Sequence, residues 1–501
     1  MTQQNRFYLI FGLVLLGKML FAGLVPITGD EAYFVVWANH PDYGYYDHPP
    51  MVAWLLLSLQ WLGQNELSVR LPAILTNLLI ALLIYQLLKP AADHPAHQEH
   101  TAKARLTALL FLLLPVSLYN VFITTDTPLI LFSFLSALSL YKALQQDRLS
   151  YYLLAGVLLG AGVLSKYLVA ALGVAYFTFF LFHPPARRHW KKFLLLLLCA
   201  LPLTLLNLYW NYNHCWTNIL FNLLNRNKQT GIGLGNLLLY LVTLLYLYTP
   251  LLFYYLYRQR DRIAQTGLAG VYWLYLGLVP LSLFALVALK KTVGLHWLFA
   301  FVPFLLIASY AVLTVGQLKR CLQLAVLFSV LHGIVFAGFI LTPLELWSKA
   351  RIYRSLVFGY KQKSILKQLA PYQQDYVFAT DSYSPSAVMA FYRKRPVLVF
   401  GKGSYHGRQD DLNTDYRKLD GKNILVLSKS KRRLAGFVRF FATAELLTIK
   451  QQQAEFHLLL GQGFKYNVYH REILAKIRRE YYPIPSFLPY NGCYFYQKYG
   501  K

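Results

Sequence analysis

The sequence predicts a polytopic α-helical membrane protein with a small soluble α/β domain at its C-terminal end. Three observations lead there: a composition too apolar for a soluble chain, apolar runs that recur at membrane-crossing length, and a tail in which that pattern stops. Of the 501 residues, 56% are hydrophobic and only 14% charged, where a soluble protein carries about 25% charged residues. This excludes a disordered chain, a small disulfide scaffold and an ordinary soluble enzyme. Runs near 20 apolar residues, the length that spans a bilayer, recur over roughly two thirds of the chain.

About eleven spans are expected, over 6–26, 68–89, 104–123, 127–145, 150–164, 167–183, 191–210, 235–257, 267–289, 294–315 and 319–342. The first, from Phe7 to Val25, is too long for the apolar core of a cleavable signal and reads as a membrane helix. The connections separate by charge. Arg6, Lys89, Lys103, Arg105, Lys142, Arg148, Arg187, Arg188, Lys191, Lys192, Arg258, Arg260, Arg262, Lys319 and Arg320 fall in one set. The other set begins with 27–67, which contains no Lys or Arg before the span. The positive-inside rule makes the first set cytoplasmic and places the tail outside. A transmembrane domain over 1–342, a linker over 343–364 and a periplasmic α/β domain over 365–501 follow.

Within the tail, Tyr376–Thr380, Pro396–Phe400 and Asn423–Ser428 read as short buried strands with helical patterns between them. Residues 51–62 (MVAWLLLSLQWL) are apolar but too short to span, and read as an interfacial helix in the first outer loop. The net charge is +28, of which +16 lies beyond Thr342. On a membrane protein such a tail points to anionic lipid or phosphorylated glycan rather than nucleic acid. Cys199 and Cys321 fall inside apolar runs as packing residues. Cys215 and Cys493 can pair if both face an oxidising compartment.

The first outer loop gathers the chemistry. It reads Gly29-Asp30-Glu31-Ala32-Tyr33, then His40, Asp42 and Gly44-Tyr45-Tyr46-Asp47-His48-Pro49-Pro50. Four carboxylates without a cation beside a membrane are costly, so their pKa values are expected to rise, which suits a general base. Asp126, in Thr124-Thr125-Asp126-Thr127-Pro128, reads as a helix cap at the same surface. The outward loops also hold Lys166, Arg226, Lys228, Lys290 and Lys291, against the orientation rule. They are either solvated loop cations or the receptor of an anionic ligand. No P-loop or dinucleotide fingerprint is present.

The segment Asp30-Glu31-Ala32-Tyr33 through Gly44-Tyr45-Tyr46-Asp47-His48-Pro49-Pro50-Met51-Val52-Ala53-Trp54 resembles the first loop of bacterial members of the protein-mannosyltransferase and aminoarabinose-transferase group, within the GT-C superfamily. Thr125-Asp126-Thr127-Pro128, the stretch from Gly156 to Lys166-Tyr167, Trp210-Asn211 through Asn225-Arg226, Lys291 through His296-Trp297 and Pro303, and Asp381-Ser382-Tyr383 resemble later motifs of the group. The resemblance implies sugar transfer from a polyprenyl (undecaprenyl) phosphate donor, with inversion. The acceptor would lie at the periplasmic face of a bacterial inner membrane and be lipid A or another envelope glycolipid or glycan.

On that pattern Asp30 is the leading candidate for the base, with Glu31 beside it, and Asp126 orients the donor sugar or shares the base role. His48, Lys166, Arg226 and Lys291 are candidates for the leaving phosphate. Tyr46, Asp47 and His296 are further substrate-site candidates. Where aminoarabinose transferases resemble Glu-Lys-Pro, this chain has Asp47-His48-Pro49, which departs from that exact activity. No cofactor is implied with certainty; a divalent metal on Asp47 with His214 or His296 stays an alternative. A protein O-mannosyltransferase-like activity and a lipid-linked sugar transporter are the other readings.

Overall fold

The computed structural model describes residues 2–223 and 233–500. The chain forms two compact units. One comprises Met1–Leu24, Arg70–Leu205 and Gln229–Phe339; the other comprises Val25–Val69, Leu206–Lys228 and Ile340–Lys501.

The first unit is helical. Among the described residues of the whole chain, six helices are long and apolar enough to cross a membrane: Gln3–Leu24, Glu66–Leu88, Asp126–Gln146, Trp190–Asn213, Gly267–Ala288 and Val315–Leu341. A seventh crossing is formed if Leu234–Tyr248 and Pro250–Arg258 count as one, bent by 88°. The bend falls at Thr249, which sits at φ +66° directly before a proline, a residue pair that leaves the helical region. Five of the eleven expected spans are therefore not single long helices among the described residues. The span expected at 104–123 breaks into His97–Leu112 and Pro115–Tyr119, and that at 294–315 into Leu295–Phe299 and Val302–Val312. Proline supplies no N–H and starts a new helix more readily than it continues one. The spans at 150–164 and 167–183 appear as the shorter apolar helices Leu149–Val163 and Tyr167–Phe182.

Apolar faces of these helices are bare. Leu9, Leu13, Leu16 and Leu20 on the first helix, and Leu327, Val330, Leu331, Ile334 and Val335 on the last, are all exposed. Apolar area this wide matches a lipid solvent, not water. The chain is a multi-pass membrane protein. The Lys18 amine, buried in the first helix, donates to Asn77 Oδ1 at 3.0 Å and to the Ser117 carbonyl at 2.5 Å, so a polar group within an apolar helix is satisfied by protein.

The second unit is built on a five-stranded sheet. Its strands are β1 (Val377–Thr380), β2 (Leu398–Val399), β3 (Ile424–Ser428), β4 (Phe441–Gln451) and β5 (Ala454–Phe464), in the order β2-β1-β3-β5-β4. β1 runs parallel to β2 and β3, with Ala379 opposite Leu398 on one side and Val426 on the other. β5 is antiparallel to β3 and β4. The three strands expected from sequence are β1, β2 and β3. The long β4–β5 hairpin was not expected: its turn is Gln452-Gln453, with Gln452 at φ +55°, and carries none of the Gly, Asn or Asp that signals such a turn. Phe400, Phe440, Phe441, Phe464 and Tyr469 pack together in the core.

Two segments from far upstream join this sheet. The helix Gly29–Ala38 packs along the helix Tyr383–Arg393. Cys215 is disulfide-bonded to Cys493 across 278 residues, Cys215 N–H donates to the Gly492 carbonyl at 3.2 Å, and Trp216 Nε1–H donates to the Pro489 carbonyl at 2.7 Å. The segment 343–364 contains the helix Tyr353–Tyr360, whose Phe358 lies 6.0 Å from Phe456 on β5; the compact unit thus reaches back beyond residue 365.

Removing the disulfide by Cys493→Ser should lower stability by about 2–5 kcal/mol. This would be read as an earlier thermal unfolding midpoint of the purified protein in detergent. An unchanged midpoint would show that the two hydrogen bonds suffice.

Candidate active site

In the sheet-containing unit, Asp30 sits in the first turn of Gly29–Ala38. Thr28 caps this helix: its hydroxyl accepts from Glu31 N–H at 3.3 Å, and the Glu31 carboxylate accepts from Thr28 N–H at 3.0 Å. This reciprocal cap turns Glu31 back onto its own helix and buries it at 1% exposure. Asp30, its neighbour, is exposed. Its Oδ1 accepts a 3.1 Å hydrogen bond from the Tyr383 hydroxyl.

Asp47 lies in the same unit and is buried. Both of its oxygens face the Gly407 N–H, at 3.2 and 3.3 Å, and Tyr33 also hydrogen-bonds it. Tyr33 in turn accepts from Gln409 N–H at 2.9 Å and packs edge-on against Tyr383, 5.0 Å between centroids. Asp30, Tyr383, Tyr33 and Asp47 therefore form one cluster, closed by the loop at 401–411. Burial raises the Asp47 carboxyl to about 7; the Asp30 charge adds to the rise, and the bonds from Tyr33 and Gly407 oppose it. Such a group changes protonation near neutral pH.

Close backbone approach makes the cluster. A Cβ on Gly407, which lies at φ +67°, would stand 2.0 Å from the Tyr383 ring, and one on Gly29 would stand 1.7 Å from Ser384 Oγ. Only glycine fits either place. Behind the loop, Arg408 makes a bidentate pair with Asp411 at 2.6 and 2.8 Å, with both side chains buried, and the Tyr482 hydroxyl donates to Asp411 at 2.7 Å. Tyr46 packs 6.0 Å from Tyr482; its N–H donates to Gln409 Oε1 at 2.9 Å, and among the described residues its buried hydroxyl meets no hydrogen-bond partner.

His48 is half-buried, 6.3 Å from the Trp37 ring, and its carbonyl accepts from Tyr45 N–H at 3.0 Å. His214 is stacked on Trp210 at 4.3 Å, with Nδ1 2.8 Å from the Trp210 carbonyl. Among the described residues no three His, Cys, Asp or Glu side chains gather as metal ligands.

In the helical unit, Asp126 is the first residue of Asp126–Gln146, and Thr125 occupies the cap position without a side-chain bond. The Asp126 carboxylate does not cap. It accepts two 2.8 Å bonds from the Lys166 ammonium, and both side chains are under a tenth exposed. A glycine-rich helix, Leu149–Val163, delivers Lys166; a Cβ on Gly156 would stand 2.2 Å from the Leu196 carbonyl. Lys291 lies over the Trp297 ring at 5.3 Å, and His296 is exposed beside it. Arg226 and Lys228 fall outside the described residues.

The structure thus joins Asp30 to Asp47, and Asp126 to Lys166. Sequence reasoning missed Tyr33, Gly407, Arg408, Gln409 and Asp411. A signal was present: Gly401-Lys402-Gly403 through Gly407-Arg408-Gln409-Asp410-Asp411 places three glycines and two adjacent acids in an otherwise basic tail.

Two outcomes test this geometry. Between about pH 4 and 7 the folded chain keeps the Asp47 proton that the unfolded chain has released, so this group's share of stability falls as pH rises through that window. Asp410, also raised to about 7 by burial, does the same. In an Asp410→Asn background, adding Asp47→Asn should therefore flatten thermal stability between pH 4 and 7. Separately, Lys166→Met should cost about 3–5 kcal/mol by stranding Asp126, and the added change Asp126→Asn should recover most of it.

The family model described as dolichyl-phosphate-mannose-protein mannosyltransferase matches residues 47–210. A curated relative, the lipid A galacturonosyltransferase RgtD of Rhizobium johnstonii, is 29% identical over 193 residues, 38% of this chain and 39% of that protein. The match thus spans well under half of that relative. Over 91% of its length the chain superposes on 98% of ArnT from Cupriavidus metallidurans at 13% identity, with a TM-score of 0.60 in the apo state and 0.61 for the structure bound to undecaprenyl phosphate. At that identity the likeness establishes the fold. The chain thus has the fold of these ArnT structures, and its segment 47–210 is similar to the mannosyltransferase family model.

Proposed function

We propose that the protein transfers a sugar from a polyprenyl-phosphate donor to an acceptor hydroxyl or phosphate of an envelope glycolipid, lipid A being the first candidate, at the periplasmic face of a bacterial inner membrane. The observation that carries this reading is the exposed carboxylate of Asp30, held by Tyr383 and backed by the buried Asp47. The RgtD likeness supports a lipid A acceptor, and the ArnT complex supports undecaprenyl phosphate as the carrier. The Cys215–Cys493 disulfide supports a periplasmic location, since such bonds persist in oxidising compartments.

In this reading Asp30 takes the proton from the acceptor as the new glycosidic bond forms and the bond to the polyprenyl phosphate breaks. Tyr383 holds the carboxylate in place. Asp47, near half-protonation at neutral pH, sets the charge that Asp30 feels. Lys166, Lys291, His48 and Arg226 are each proposed as separate candidates for the leaving phosphate, since a cation stabilises the charge that develops there. Tyr46 and His296 are proposed substrate contacts. Glu31 serves the base indirectly, by fixing the helix that presents Asp30.

The test is comparative mass spectrometry of lipid A and envelope glycolipids from cells carrying the wild-type chain or Asp30→Asn. Loss of one sugar mass in the variant is expected, with a transfer rate about 10²–10⁴-fold lower in membranes at equal expression. Full transfer by Asp30→Asn would sink the assignment. An unchanged lipid profile with a missing sugar on protein would favour the mannosyltransferase-like reading.

A further inference from the structure

A second feature of the sheet-containing unit lies outside the Asp30–Asp47 cluster. β1 and β3 are adjacent and parallel, and their connections diverge. β1 leads through Tyr383–Arg393 to β2 on one side; β3 leads through Lys431–Ala435 toward β4 on the other. The carboxyl ends of two such strands open a crevice, the place where sheets of this kind bind ligands. Here it is a cavity of about 250 Å³ lined by Asp381 and Ser382 after β1 and by Ser428, Lys429, Ser430 and Arg433 after β3.

Its charge is positive. Asp381 is already engaged: one carboxylate oxygen accepts from the Ser428 hydroxyl and from Arg433, each at 2.6 Å. Among the described residues Lys429 makes no ion pair within contact distance; its ammonium donates to the Ser355 hydroxyl at 2.9 Å, and Arg354 donates to the Lys429 carbonyl at 3.0 Å. Burial holds the Lys429 ammonium below its ordinary pKa, with the Asp381 charge opposing and the Arg354 charge adding to the fall, a cost that a further anion would relieve. Lys431 and Arg432 are exposed on the next turn. Phe358 and Phe456 give the cavity an apolar wall. The volume is below that of drug-sized sites, roughly 300–1,000 Å³, and suits a phosphate with one sugar ring.

We propose that this crevice binds a phosphate monoester carried on a sugar, and that the phosphate belongs to the acceptor. The second clause rests on the transferase reading; the first does not. The chain supports the link: Ser382 in the crevice is followed by Tyr383, whose hydroxyl donates to Asp30, so crevice and carboxylate are tied to neighbouring residues of one segment.

The test uses the full chain in phosphatidylcholine nanodiscs and calorimetric titration with glucosamine 1-phosphate, glucosamine and inorganic phosphate. Saturable binding of glucosamine 1-phosphate, tighter than that of inorganic phosphate and absent for glucosamine, is expected. Lys429→Met, which leaves the Asp381–Arg433 pair intact, should weaken it at least tenfold without moving the unfolding midpoint. Arg433→Met should weaken it as well. Asp30→Asn should bind as wild type does while losing transfer, so failure of the transferase reading and failure of this site are read separately. Equal binding by Lys429→Met, or equal binding of glucosamine, would overturn the proposal. Inorganic phosphate binding as tightly would overturn the sugar component. Competition from phosphatidylglycerol in the nanodisc would assign the crevice to a lipid headgroup and overturn it too.

Discussion

The bond on which the sheet-containing unit depends runs from the Gly407 N–H to the Asp47 carboxylate, across 360 residues of chain. It ties the first loop to the tail of the protein. Around it sit the Tyr33 hydroxyl, the Gln409 N–H and the Tyr383 ring, and through Tyr383 the bond reaches Asp30. A side chain at 407 would displace the Tyr383 ring. The glycine is therefore as much part of the cluster as the acids it serves.

The protein treats its buried charges in two ways. Arg408 with Asp411, and Lys166 with Asp126, are buried as bidentate pairs. There the cost of leaving water is offset by an opposite charge at contact distance. Among the described residues Asp47 receives neutral donors, from Tyr33 and Gly407, and the Asp30 charge leaves its own partly uncompensated. That is why its carboxyl titrates near neutral pH. A paired charge holds structure; a buried carboxylate without an opposite charge, near enough to a second one to feel its charge, keeps a proton available for exchange.

Parts of the candidate site were legible and parts were not, for definite reasons. Asp30, Asp47 and Asp126 stood out because acids near a membrane are rare and sit in turn-rich motifs. Lys166 stood out as a cation on the wrong side of the charge pattern, but its carboxylate partner lies 40 residues away and no local periodicity links them. Glu31 is a helix cap, which the spacing Thr28-x-x-Glu31 signals. The Arg408–Asp411 pair was hidden because its burial depends on Tyr482 and Tyr46, from distant parts of the chain.

The sequence by itself determined the solvent of the protein and the local elements: apolar runs of spanning length require lipid, and three short apolar strands require a buried sheet. Helix breaks were set by Pro115, Pro250 and Pro303, whose missing N–H acts locally, although their effect on span count emerged only in three dimensions. The tertiary structure decided which residues meet. The β4–β5 hairpin turns on two glutamines without a turn signal, Cys215 finds Cys493, and Tyr383 finds Asp30. Each depends on contacts between segments far apart in sequence, and side-chain type alone carries no information about such distances.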